Sequence, residues 1–172
     1  MKLRFAIAAE PDVPALASLH RAASGELTRR FGQGFWSSPP TERGLLVELR
    51  RPKFSRTLIA HSGTRIAGTL RLATKKPWAI DTAYFTPATR PLYLTGMAVH
   101  PDLQRLGVGR LLMREAEAHA RAWPADAIRL DAFDKAAGAG PFYAKCGYRE
   151  VAHVIYKGDS LVYFELVLTQ GL

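Results

Sequence analysis

The sequence predicts an α+β fold, on three observations. Residues 57–61 and 65–73 flank Ser62, Gly63 and Thr64 as two strands of a hairpin with a short loop. Residues 92–99, 107–123 and 128–133 read as strand, helix and strand, a unit that implies parallel pairing. Residues 148–155 and 161–168 read as a late pair of strands.

Taken in order, the first element is a strand over 3–8, whose Leu3, Phe5 and Ile7 share one face. A helix follows with Asp12 as its expected N-cap. Val13, Leu16, Leu19, His20, Ala23 and Leu27 recur at helical spacing until Gly32 stops them. After the Gly, Ser and Pro stretch RFGQGFWSSPP, Thr41 caps a second helix carrying Leu45, Leu46 and Leu49 up to Pro52. The hairpin comes next, then a long connection over 74–91 that holds Trp78, Tyr84 and Phe85. Aromatic residues are unusual in a solvated loop, so this is a candidate binding loop or lid. Pro124 stops the helix at 107–123, and a short helix at 141–145 precedes the final strands.

A chain of 172 residues with 48% apolar and 23% charged residues suits one domain, 1–172. The net charge of +9, with Arg supplying 17 of 24 basic residues, favours an anionic partner: nucleic acid, an acidic surface or a phosphorylated small molecule. One cysteine, Cys146, excludes an intrachain disulfide framework and a Cys-rich zinc module, and fits a reducing compartment. The N-terminal stretch is too short in apolar residues for a signal peptide, and no long apolar run reads as a membrane span, so a cytoplasmic protein is expected. His20, His61, His100, His119 and His153 form no i, i+4 pair, so no metal is expected. There is no Gly-x-Ser-x-Gly elbow for hydrolase chemistry.

The most informative segment is LTGMAVHPDLQRLGVGRLL, residues 94–112. Its Gln104-x-x-Gly107-x-Gly109 core lies at a strand-to-helix turn, where glycines let backbone N–H groups approach a ligand. The first turn of a helix ordinarily collects acids to balance the dipole. Here Arg105, Arg110 and Arg114 gather, Asp102 is the only nearby acid, and Glu115 is the first within the helix. A bound phosphate or pyrophosphate accounts for this; exposed Arg serving solubility is the plainer alternative. A Walker pattern is absent, and Leu112 stands where a dinucleotide fingerprint has its third glycine.

These residues resemble the GNAT superfamily of acyl-CoA-dependent N-acyltransferases, whose Arg/Gln-x-x-Gly-x-Gly/Ala turn is matched by Gln104, Gly107 and Gly109. A second block, AGPFYAKCGYREV at 139–151, is similar to a segment of the same family, with Ala139, Phe142, Tyr143, Lys145, Gly147 and Tyr148 in register. The resemblance covers most of the chain. It implies a three-layer α/β/α sandwich whose mixed, mostly antiparallel sheet splays at the central strand, with acetyl-CoA as cosubstrate in the opening.

Residue by residue, the resemblance implies that backbone groups of Met97 and Val99 pair with the pantetheine arm. It implies that the turn of Gln104, Arg105, Gly107, Val108, Gly109 and Arg110 holds the pyrophosphate. Tyr143 is the implied general acid for the leaving thiolate; without the family it reads as a core aromatic. Where the family often has Asn, this chain has Ala136, with Asp134 nearby as a substitute contact. Residues 92–99 lack the carboxylate that many members use as base, leaving Glu26, Glu42, Asp81, His100 or water. Trp36, Trp78, Tyr84 and Phe85 are candidate walls of an acceptor pocket, and Arg29, Arg30, Arg50 and Arg51 read as solvated charge or as anchors for an acidic acceptor. The acceptor is expected to be an amine on a small molecule or a protein, with no nucleic acid or membrane partner. A homodimer is compatible with the family. A catalytically silent CoA-binding regulatory domain and a basic nucleic-acid-binding module are the readings from other classes.

Overall fold

A computed structural model describes residues 1–169. Seven strands run in the order β1-β2-β3-β4-β5-β7-β6. They are β1 (Arg4–Ile7), β2 (Ser55–Ser62), β3 (Arg65–Ala73), β4 (Pro91–Val99), β5 (Ala127–Phe133), β6 (Arg149–Tyr156) and β7 (Asp159–Val167). Four helices accompany them: α1 (Val13–Phe31), α2 (Glu42–Leu49), α3 (Val108–Ala122) and α4 (Gly140–Lys145). β1 pairs antiparallel with β2, and β7 antiparallel with both β5 and β6. β4 pairs parallel with β5. This is the mixed, mostly antiparallel sheet that the resemblance implied.

The expected elements appear in the expected order, with ends displaced by one or two residues. The cap of α2 is as read: the Thr41 hydroxyl accepts the Gly44 N–H at 3.1 Å. Asp12 stands at the N-cap of α1, also as read. Asp12 makes no side-chain bond into α1; its carboxylate instead accepts the Ala9 N–H at 2.8 Å and closes a 3₁₀ turn at Glu10–Asp12.

The chain forms two compact units, Met1–Leu72 with Thr95–Ala116, and Ala73–Leu94 with Glu117–Leu172. In the first, Val13, Leu16, Ala17 and Leu19 of α1 join Leu45 of α2 in a core with Ile59, Ile66 and Ala98. The i, i+3, i+4 spacing read from the sequence is the buried stripe of α1. α3 turns Val108, Leu112, Met113 and Ala116 inward, all nearly inaccessible. Gly68 of β3 lies so close to that helix that an added Cβ would stand 2.8 Å from Leu112 and 3.1 Å from Val108. A strand glycine of this sort marks a close approach.

The second unit is organised by a buried carboxylate. Glu165 of β7 is 1% exposed and stands in register with Arg129 of β5 and Arg149 of β6. It accepts the Arg149 guanidinium at 2.5 Å, the Thr86 hydroxyl at 2.5 Å and the Thr86 N–H at 3.2 Å. Arg129, 4% exposed, donates to the Thr86 carbonyl at 2.7 Å and to the Tyr93 hydroxyl at 3.2 Å, and its guanidinium lies over Phe85. The connection expected as a lid is thus anchored at Thr86, while Ile80 and Phe85 join Tyr93 and Tyr163 in a core. Asp126 fastens its far end, accepting the N–H groups of Thr89 and Arg90.

A carboxylate so deeply buried stabilises only while its partners meet it, and breaking such a pair from one side costs about 3–5 kcal/mol. Glu165→Ala is expected to lower unfolding free energy by about that amount in urea titration.

Candidate functional site

In the first unit, the end of β4 and the start of α3 frame a turn. Ala98 is buried in the core, while Met97 and Val99 on either side are partly exposed. The His100 N–H bonds to the Ala67 carbonyl at 2.8 Å, and a 3₁₀ turn, Pro101–Leu103, follows. Gln104, Arg105 and Gly107 then lie exposed, and buried Val108 opens the helix with Gly109 behind it. The Gln104 side chain donates to the Val99 carbonyl at 3.4 Å.

Backbone geometry marks this turn. Arg105 holds φ +64° and Gly107 φ +87°, both in the left-handed region. For Arg105, a non-glycine residue, that conformation is uncommon and accompanies a surrounding structure that enforces it. The space beside Gly107 is open, since an added Cβ would meet nothing within 4 Å. The Leu111 N–H bonds to the Gly107 carbonyl at 3.1 Å, so the N–H groups of 108–110 precede the helical ladder. Arg105, Arg110 and Arg114 are exposed and make no ion pair among the described residues. Amides that the helix does not use, an open approach and three Arg side chains suit a phosphate ester or pyrophosphate.

The second unit carries Tyr143, at 6% exposure in α4. Its ring contacts those of Phe142, Tyr148 and Phe164, at centroid distances of 5.3, 6.3 and 6.0 Å. Burial, then the Asp131 carboxyl, push its phenol above the ordinary value. Asp131 is itself raised by burial. The Tyr148 hydroxyl is buried with no hydrogen-bond partner among the described residues. Cys146, the single cysteine of the sequence, is half-buried.

The expected bases are not equally placed. Glu26 is bound by Arg29 at 2.7 Å, and that hydrogen bond holds its carboxyl below the usual range. Glu42 is exposed in the first turn of α2. Asp81 is exposed and caps a turn by accepting the Ala83 N–H at 3.0 Å. His100 accepts the Asp102 N–H on Nδ1 at 3.2 Å and contacts Arg65, so its lone pair serves the end of β4.

Asp134 spends its carboxylate on the His153 Nδ1 at 3.0 Å and on the Ser160 hydroxyl at 3.3 Å. Among the aromatics, Phe85 belongs to the core and Trp36 folds back on Gly32, donating to its carbonyl at 2.9 Å. Trp78 and Tyr84, 81% and 52% exposed, line a cavity of about 560 Å³ with Lys76, His153, Ile155 and Tyr163. Arg29 and Arg50 pair with Glu26 and Glu10 on the surface. Among the described residues no group of His, Cys, Asp and Glu is arranged to hold a metal, and no helix is long and apolar enough to cross a membrane.

Sequence reading missed three features near these residues: the Glu165 network, the close approach at Gly68, and a smaller cavity lined by His20 and Arg71. Charged residues at 129 and 165 inside apolar strands, and a histidine on the apolar stripe of α1, were the available signals.

His153 gives a pH test. Hydrogen bonds to Asp134 and then to Glu150 raise it above 6.5. A raised value means stabilisation that is complete below about 6.5 and lost as pH climbs through the folded-state value. NMR titration is expected to give a midpoint above 6.5 for His153, moving back toward 6.5 in Asp134→Asn.

No curated protein sequence matches the chain. Among solved structures, it is similar to the PaiA N-acetyltransferase of Thermoplasma acidophilum in complex with coenzyme A, at 16% identity and TM-score 0.71, covering 95% of this chain and 98% of that one. YncA of Salmonella typhimurium, solved with its cofactor acetyl-CoA, is similar at 16% identity and TM-score 0.72, covering 98% and 95%. An acetyltransferase of Thermus thermophilus follows at 18% identity and TM-score 0.66, covering 98% of each chain. At these identities the likeness establishes the fold. The sequence itself matches the Acetyltransferase (GNAT) family over residues 21–148, well over half its length, and the chain belongs to that family.

Proposed function

We propose that this GNAT protein is a cytoplasmic N-acetyltransferase that moves the acetyl group of acetyl-CoA to a primary amine by direct attack, with no acyl-enzyme. The turn over 104–110, with the unladdered amides of 108–110, open space at Gly107 and Arg105, Arg110 and Arg114 outside any ion pair among the described residues, carries this reading. Acetyl-CoA supplies an activated thioester. The amides of 104–110 hold its pyrophosphate, and the backbone of Met97 and Val99 offers strand-like hydrogen bonds to its amide-rich arm.

Tyr143 gives its phenolic proton to the departing thiolate. Burial keeps that proton on the oxygen until a strong base is beside it, and a thiolate held away from water is raised in the same direction. The acceptor is an amine on a small molecule or a protein, and no nucleic acid takes part.

β4 carries no carboxylate, the observation that favours a silent CoA-binding domain as a second reading. Calorimetric titration with acetyl-CoA and desulfo-CoA, followed by thiol release across a panel of amines, separates the two. Binding with turnover supports the enzyme; binding without turnover of any amine supports the silent domain; absence of binding removes both.

Tyr143→Phe is expected to lower kcat by about 10² to 10⁴-fold with acetyl-CoA affinity nearly unchanged. Gly107→Ala strains a left-handed position by about 1–2 kcal/mol. It is expected to weaken acetyl-CoA binding by about tenfold in the same calorimetric titration.

A further inference from the structure

A cavity of about 180 Å³ lies wholly within the first unit. Its walls include His20 of α1, Glu48 of α2, Arg71 of β3, and Thr95 and Gly96 of β4. Gly96 holds φ +62° and stands exposed, a kink in β4 one residue before Met97. The cavity therefore reaches β4 one residue short of the stretch assigned above to the pantetheine arm.

The charged groups in it answer each other. Arg71 Nε donates to the Thr95 hydroxyl at 3.2 Å and lies 3.4 Å from a Glu48 carboxylate oxygen. That pairing fixes the cation and leaves the cavity close to neutral. His20 differs: burial lowers its imidazole below the ordinary value, and no charge or hydrogen bond contributes to the shift. Its ring is neutral at pH 7, with a lone pair that the fold does not spend. A neutral imidazole inside a cavity is suited to taking a proton.

We propose that His20 is the general base of the acyl transfer, and that the acceptor is a small primary amine seated between α1, α2 and the kink at Gly96. This rests on the acetyltransferase reading above. The amine nitrogen attacks the acetyl carbonyl carbon, a C–N bond forms and the C–S bond breaks. His20 takes the proton that the nitrogen loses, Tyr143 supplies the one that the thiolate gains, and water returns both residues to their starting states. An amine that arrives as ammonium gives up its first proton to water. The size of the cavity sets the acceptor class, being well below the roughly 300–1,000 Å³ of sites for drug-sized ligands.

The test uses the full chain and its best substrate from a panel of small primary amines and N-terminal peptides. Activity of the unaltered protein falls as pH drops through the His20 value, below 6.5, because a base must be unprotonated. His20→Gln is expected to lose about 10² to 10⁴-fold in kcat, to bind acetyl-CoA as before, and to lose that acidic limb. Glu48 and Arg71 are the other titratable groups facing the cavity, and Glu48→Gln is expected to keep the limb. Should His20→Gln melt early, His20→Asn is read with the same two measurements. An unaltered kcat and limb in the His20 variant overturns the base while leaving the acetyltransferase in place. Turnover of peptides with none of small amines overturns the acceptor class. A chain that binds no acetyl-CoA overturns the underlying reading first, before His20 is in question.

Discussion

The spacing between α3 and β3 is the constraint on which the first unit turns. With hydrogen alone on Gly68, Leu112 and Val108 pack within side-chain reach of the strand backbone, and the first turn of the helix is drawn down beside the end of β4. A Cβ at position 68 would stand 2.8 Å from the Leu112 side chain and 3.1 Å from Val108 and the Ala98 carbonyl, so these neighbours would have to shift to admit it. The N–H groups of 108–110 that precede the helical ladder are thus positioned by the packing of Val108 and Leu112 beneath them. Arg105 in the left-handed region belongs to the same geometry: the chain must reverse between the 3₁₀ turn and α3, and the anchored helix dictates where.

The second unit solves a different problem. Its long connection is fastened by Ile80 and Phe85 in a core, and a buried carboxylate adds a polar anchor at Thr86. Glu165 is met from β6 by Arg149 and from the connection by Thr86, whose carbonyl in turn takes Arg129 of β5, so one carboxylate ties three strands and a loop into a single network. Such networks give definition more than net stability, since desolvation offsets much of the attraction. With Ile80, Phe85 and Thr86 held, Trp78 and Tyr84 are left in solvent beside a wide cavity.

Local patterns were legible where local physics decides. Strands and helices emerged from the periodicity of Leu16, Ile59 or Leu112, and the phosphate-type turn from glycines and Arg beside a helix start. Asp12 was legible as the N-cap of α1, but not that its carboxylate serves the turn before the helix, because a capping residue looks the same in either case. The aromatic loop was legible as unusual, but not as anchored, because Thr86, Arg129 and Glu165 meet only across long sequence separations. His20 looked like one more member of an apolar stripe; only the cavity beside it, made by residues as distant as Arg71 and Thr95, distinguishes it.

The edges of the sheet carry a consequence of their own. β6 stands last in the strand order, and its pairing with β7 slips at Glu150/Ala152. A bulge bends the outer row of N–H and C=O groups out of line, and β1 at the other edge has only four residues. Neither edge is a good template for a strand from another molecule. Ile155 can therefore remain 73% exposed on an edge strand without making that strand an open invitation to fibril growth.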